Sequence, residues 1–208
     1  MISALLLAAG RAIRMGRPKQ LLPFGKSTIL EQAIDNLLGS QVDEIVVVVG
    51  HRAEEIAKVV ALKPVKLVVN PDYMQGMSTS IIAGLNAVNN HAQAFMIALG
   101  DEPLIDSQTV NRLIEAFCNH DRGIVIPTYQ GRRGHPVIFT RKYRRELLAL
   151  KGDIGGRKVI GDHPGDVLEI AMSCGGICLD IDTADDLSLG GGSKISQVIL
   201  GGSPYDRR

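Results

Sequence analysis

The chain has no tryptophan and only four tyrosines and four phenylalanines, so it lacks the aromatic surface on which single-stranded bases stack. It also lacks a charge bias: 23 Lys and Arg stand against 22 Asp and Glu. Such a balance leaves no electrostatic footprint for nucleic acid or an anionic membrane surface. Cysteine is scarce and odd in number, three in all. Cys174 and Cys178 are not spaced as in a zinc ribbon or a CxxC redox pair, so the thiols read as idle in a reducing cytoplasm. The apolar start is too short to span a bilayer and has no positive leader, which reads as the first strand of a cytoplasmic protein.

Two phosphate-binding motifs are missing as well. The dinucleotide fingerprint fails because Gly10 is followed by Arg11 and Ala12. Gly25-Lys26-Ser27 is no P-loop, because that motif needs a glycine where Gln20 stands. Ser27 is read instead as the N-cap of a helix with Ile29, Leu30, Ala33, Ile34, Leu37 and Leu38 on one face and Gly39 as its stop.

What is present is an alternation. Apolar runs at Ala4–Ala9, Glu44–Val49, Val65–Val69 and Ala94–Leu99 read as strands, with helical patterns at 29–38, 53–62 and 78–88 between them. Runs this continuous and β-branched are buried on both faces, as in a parallel sheet covered by helices. The expected class is α/β, three layers around a mostly parallel sheet. After a helix over 107–118 the rhythm breaks. A strand at 123–127, a turn at Gln130–Gly134 and an arm at 135–139 predict a hairpin insertion forming a lid or subdomain at the sheet edge. A helix at 142–150, a Gly-rich loop with Arg157, and strands at 167–170 and 177–181 complete the pattern. Residues 1–188 read as one domain and 189–208 as a Gly/Ser-rich flexible tail.

In such sheets ligands bind beyond the carboxyl ends of the strands, where the polar signals fall. Gly10, Gly50-His51, Asn70-Pro71-Asp72 and Gly100-Asp101-Glu102-Pro103 each end a run. The loop from Gly10 to Lys19 offers backbone N–H groups together with the cations Arg14 and Lys19, a combination suited to polyphosphate. Asp101, at the mouth of a buried strand, suits Mg²⁺; it or Glu102 equally suits a helix cap or a turn. Strand alternation puts Asp180 and Asp182 on one face, where Asp182 could complete that metal site, while Thr183 suits a helix cap. Ser78 and Ser80 at a helix start suit either a ribose or base contact or capping. His135, between Gly134 and Pro136, has a restricted backbone that can aim its ring.

Taken together, Leu7-Ala8-Ala9-Gly10, Arg14-Met15-Gly16, Lys19, Leu21-Leu22-Pro23, Val49-Gly50-His51, Gly76–Ser80, Leu99–Leu104, Gly134-His135-Pro136, Gly152-Asp153, Gly155, Arg157 and Asp180–Thr183 carry a resemblance. The chain resembles the MobA-like NTP transferase family, nucleotidyltransferases related to the molybdenum cofactor enzymes, and within it the cytidylyltransferase branch. The resemblance covers residues 2–188. It implies a Rossmann-like nucleotidyltransferase fold and Mg²⁺-dependent transfer of CMP from CTP to the phosphate of molybdopterin, with a molybdoenzyme as a downstream partner.

It further implies that Gly10, Arg14 and Lys19 hold the triphosphate, with Arg14, Lys19 and Asp101 catalytic. Asp101 and Asp182 would bind the metal, and Ala8, Ala9 and Ser80 would meet the nucleotide. His135, Asp153 and Arg157 would face the acceptor. Ala9 stands where guanylyl-transferring relatives have Gly, which favours CTP over GTP. One departure is Ala12, where the family often has Ser. Alternatives remain: transfer from GTP to molybdopterin, transfer to another phosphate acceptor such as a sugar phosphate or methylerythritol phosphate, and a non-catalytic nucleotide-binding chaperone for a molybdenum enzyme.

Overall fold

The computed structural model describes residues 1–11, 18–173 and 175–178. In chain order the strands are β1 (Ile2–Ala8), β2 (Pro23–Phe24), β3 (Ser27–Thr28), β4 (Glu44–Val49), β5 (Lys66–Val69), β6 (Ala94–Leu99), β7 (Ile124–Tyr129), β8 (Arg132–Arg133), β9 (Val137–Thr140) and β10 (Val167–Ala171). The α-helices are α1 (Ile29–Leu38), α2 (Ala53–Val60), α3 (Met77–Ala87), α4 (Ser107–Asn119), α5 (Arg144–Leu148) and α6 (Arg157–Asp162).

The main sheet runs β10-β7-β9-β6-β1-β4-β5, and β8 pairs with β7. β1 lies in its interior, parallel to both β4 and β6, with Leu5 opposite Val46 on one side and Ile97 on the other. Its position explains its composition: every residue of β1 is buried. The edge strand β5 is partly or fully exposed throughout, and its Lys66 points that composition toward water. Alternation divides β1 between two cores. Ala4, Leu6 and Ala8 pack with Leu30, Ile34, Val60 and Leu113 from α1, α2 and α4. Leu5 and Leu7 pack with Ile81, Leu85, Leu147 and Val159 from α3, α5 and α6. Each fully buried Leu contributes roughly 1.5–3 kcal/mol over leaving it exposed, which makes β1 the mechanical centre. The three-layer, mostly parallel α/β reading holds.

Three local expectations are corrected. The cap of α1 is Thr28, not Ser27: Thr28 Oγ1 accepts from Glu31 N at 3.3 Å and Glu31 Oε2 accepts from Thr28 N at 2.8 Å. Only the pairing with Glu31 makes the reciprocal box, and that spacing belongs to Thr28.

Second, the arm at 135–139 is not a lid at an edge. β9 lies within the sheet, antiparallel to β6 and to β7. Its Val137, Ile138 and Phe139 are buried, so inserting it between two apolar strands buries both its faces. The hairpin proper is β7–β8, whose two-residue turn uses Gln130 and Gly131 at φ 49° and 77°. Third, Ile177 lies in a 3₁₀ turn, Gly175–Cys178, rather than in a strand. The remainder of the segment read as 177–181 falls outside the described residues, as does the tail. No helix among the described residues is long and apolar enough to cross a membrane.

Candidate active site

β1 separates β4 on one side from β6 on the other, so the chain leaves its carboxyl end at a topological switch point. A cleft of about 490 Å³ opens there, with Ala9, Gly10, Arg11, Ser80, Asp101 and Asp153 among its walls. Ala8 and Ala9 are buried and Gly10 is exposed. A Cβ placed on Gly10 would meet no atom of the described residues within 4 Å, and Gly10 lines the cleft.

Asp101 is delivered to the same place by the next strand. Gly100 N donates to Leu7 O at 2.9 Å. A Cβ on Gly100 would lie 3.1 Å from both Ala8 Cβ and Leu30 Cδ1, so glycine lets the two strand ends run close together. Lys19 is brought to Asp101 by a 3₁₀ turn, Lys19–Leu21. Its Nζ stands 2.9 Å from Asp101 Oδ2. Two groups 82 residues apart in sequence thus form one ion pair. The Asp101 side chain keeps 30 % of its surface exposed, enough to be reached from the cleft.

The N-terminal turn of α3 forms another wall. Asn70 is buried and donates through Nδ2 to Thr79 Oγ1 at 2.9 Å and Ser80 Oγ at 3.0 Å. Ser80 is therefore in the cleft wall and fixed from behind, whereas Ser78 donates to Gly152 O at 2.7 Å. The α3 helix has Gly76 at its N-cap position and no cap of its own. Asp153 supplies one from a distant loop, its Oδ1 accepting from Met77 N at 3.0 Å. Gly76 at φ 111° is packed so closely that a Cβ would lie 2.5 Å from the Gly152 carbonyl. A carboxylate at this end is also favoured by the helix dipole.

Behind that junction lies a second, smaller pocket of about 70 Å³, lined by Met77, Ile97, Phe139, Ile154, His135 and Arg157 with their neighbours. Met77 lines both spaces. The His135–Pro136 peptide is cis. His135 N donates to Ile177 O at 3.1 Å, and its Nδ1 faces Glu102 Oε1 at 3.4 Å. Arg157 begins α6 rather than lying in a loop, and its side of the pocket closes on Ile160.

The geometry thus gathers Ala9, Gly10, Ser80, Asp101 and Asp153 around one cleft, with Ala8 buried behind it and Lys19 joined to it through Asp101, and His135 and Arg157 around its neighbour. Arg14 and Asp182 lie outside the described residues. Among the described residues, no three or more His, Cys, Asp and Glu are gathered as a metal cage. Sequence reasoning missed three residues. Tyr73 packs on Gly50, where a Cβ would lie 2.6 Å from its ring, and it lines the cleft. Glu102, 5 % exposed, backs His135. Gln20 is buried in the cleft wall, and its signal was its place directly after Lys19. Burial pushes the Cys178 thiol pKa up, and its Sγ donates to Arg132 O at 3.7 Å.

Comparison with known proteins gives this arrangement a context. Residues 4–167 match the MobA-like NTP transferase domain. The nicotine blue oxidoreductase of Paenarthrobacter nicotinovorans is 31% identical over 198 residues, covering 89% of this chain and 94% of that protein. The molybdenum cofactor cytidylyltransferase of Escherichia coli K12 is 30% identical over 188 residues, covering 89% and 93%. Among solved structures, Rv0371c from Mycobacterium tuberculosis H37Rv superposes with a TM-score of 0.81 at 32% identity, covering 91% of this chain and 96% of that one. Its complex with manganese superposes at 0.77 and 31% identity, covering 90% and 96%. The strand-end loops, the sheet order and these matches agree: the chain belongs to the MobA-like NTP transferase domain family of nucleotidyltransferases.

Proposed function

We propose that the protein transfers CMP from CTP to the phosphate of molybdopterin, releasing pyrophosphate, with Mg²⁺ as the metal. The observation that carries this reading is the Lys19–Asp101 pair at 2.9 Å, whose carboxylate lines a cleft that adjoins a separate apolar pocket. An anionic acceptor phosphate needs no strong base; its oxygen attacks the α-phosphorus as the bond to the β-phosphate oxygen breaks. The protein's task is then alignment and neutralisation of charge.

Lys19 supplies fixed positive charge, and the backbone at Ala9 and Gly10 supplies short-range donors. Asp101, with Asp182 as its second ligand, is the group that would hold Mg²⁺. The donor set suits that ion, which is bound by one or two carboxylates plus phosphates and waters rather than by an all-protein cage. When bound, the ion stabilises charge on the phosphoryl oxygens. Arg14 joins Lys19 on the triphosphate, and Ser80 meets the nucleotide. Ala9, 5 % exposed in the cleft wall, replaces the glycine of guanylyl-transferring relatives and supports CTP.

His135 and Arg157 flank the second pocket, and Asp153 fixes the loop between the two. Ile97, Phe139, Ile154 and Ile160 make that pocket apolar, which suits an acceptor carrying a ring system better than a sugar phosphate.

The test is pyrophosphate release with CTP, GTP or ATP, Mg²⁺ and freshly generated molybdopterin. CTP-dependent release is expected, and Asp101→Ala should lower it about a thousandfold. Release with GTP alone would overturn the assignment of the base. Absence of release from protein that binds CTP would overturn the acceptor and favour a binding role.

A further inference from the structure

We infer that Gln20 is a positioning residue of the cleft: its side-chain amide ties back the carbonyls at the end of β1 and so turns that segment's N–H groups toward phosphate. The inference rests on reading the cleft as the nucleotide site. Gln20 is 6 % exposed although it belongs to a cleft wall. Its Nε2 donates to Ala8 O at 3.2 Å and to Gly10 O at 3.4 Å. The intervening carbonyl, Ala9 O, accepts from His51 N at 3.4 Å. Three successive carbonyls are therefore held by donors from within the protein.

In a planar trans peptide the C=O and N–H point in opposite directions. Ala8 O and Gly10 O share the Gln20 donor, so the N–H groups of Ala9 and Arg11 turn away from Gln20, and Ala9 O is held separately by His51 N, so the N–H of Gly10 turns away from His51. Ala9, Gly10 and Arg11 line the cleft. Backbone N–H groups left facing a cleft in this way are donors for an anion.

The orientation of the Gln20 amide is fixed by its partners. Both are carbonyl oxygens, which only accept, so the nitrogen end must face them. That leaves Oε1 buried without a hydrogen-bond partner among the described residues. An unmade hydrogen bond at a buried carbonyl is destabilising, and an apolar side chain of the same length would avoid it. The two bonds made by Nε2 are what the amide provides in return. The same 3₁₀ turn thus directs consecutive side chains to different tasks, Lys19 to Asp101 and Gln20 to the backbone of β1.

Gln20→Met keeps the length of the side chain and removes both donors. Gln20→Glu keeps size and polarity but sets a carboxylate against two carbonyl oxygens. Backbone amide exchange in the ligand-free variants should quicken several-fold at residues 9–11, with the interior of β1 unchanged. The Kd for Mg²⁺–CTP should rise about tenfold in Gln20→Met, as expected for losing one or two modest hydrogen bonds, and at least as much in Gln20→Glu. The acceptor KM should move less than twofold.

Unchanged exchange at residues 9–11 overturns the clamp. Faster exchange with unchanged CTP affinity overturns its role in presenting donors to phosphate. A wild-type protein that binds no nucleoside triphosphate overturns the nucleotide reading and that role together, while the ligand-free exchange rates still decide the clamp.

Discussion

The cleft and the pocket beside it share Met77 but are built on different terms. The cleft at the ends of β1 and β6 is walled by backbone, small residues and opposite charges, among them Arg11, Asp153 and Asp101, the last paired with Lys19. The pocket against β9 is walled by Ile97, Val137, Phe139 and Ile160, with His135 and Arg157 as its charged or titratable lining residues. The first suits a ligand recognised by charge and by N–H donors, the second one recognised by shape and apolar area. Their division follows the sheet: parallel strands deliver loops to the cleft, and the inserted antiparallel β9 lays a side-chain surface beside it.

Breaking the charged side of this comparison gives the largest effect after Asp101. Lys19→Ala is expected to lower nucleotidyl transfer about a hundredfold, comparable to removing one fixed electrostatic donor, with little change in acceptor KM. Steady-state kinetics with each substrate varied in turn would check it; near-normal turnover would remove Lys19 from the chemistry.

The seam between the two spaces comes next. Gly76→Ala adds a Cβ where the Gly152 carbonyl already lies at 2.5 Å, at a φ of 111° that L residues rarely adopt. The cost should be about 2 kcal/mol, roughly thirtyfold in the folding equilibrium, measured by denaturant unfolding. Because Gly76, Met77 and Asp153 join the seam, both KM values should rise together.

Arg157→Ala sharpens the comparison from the other side. It should raise acceptor KM about tenfold while leaving the Kd for CTP unchanged by calorimetry. Equal losses for both ligands would mean that the two spaces act as one.

The smallest effect lies away from both. Burial of the Asp166 carboxyl works to raise its pKa. It is outweighed by hydrogen bonds from Lys142 Nζ at 2.8 Å, from Tyr143 and from Gly123 N, leaving the value lowered to about 2. A lowered carboxylate pKa stabilises the fold fully above its ordinary value of 3.8 and loses that stabilisation as pH falls toward 2. Tyr143, pushed up by burial and then by Asp166, has the opposite sign, with stabilisation lost at alkaline pH. Asp166→Asn should flatten the fall in Tm between pH 4 and pH 2 without altering either substrate's affinity; an unaltered acid limb would dismiss the linkage.

These contrasts also separate what could be read along the chain from what could not. The continuous runs of β1, β4 and β6 announced a buried parallel sheet because burial on two faces requires apolar residues at every position. Gly10, Asp101 and Lys19 were legible because strand ends and fixed charges have local signatures. The place of β9 was not: Val137-Ile138-Phe139 reads the same in a hairpin arm as in the middle of a sheet, and only pairing with β6 and β7 distinguishes them. Asp153 suggested an acceptor contact, while its observed bond is to Met77 N, a partner 76 residues away. Thr28 was passed over for Ser27 because the decisive partner, Glu31, lies three residues beyond the cap.

By itself the sequence determined the α/β class, the central strands and the polar residues at the strand ends, since periodicity, burial and charge act locally. Tertiary structure decided which side chains meet. The Lys19–Asp101 pair, the Gln20 contacts to β1 and the capping of α3 by a loop more than seventy residues away each depend on strand order. A hydrogen bond or an ion pair is set by distance in space, and distance along the chain does not encode it.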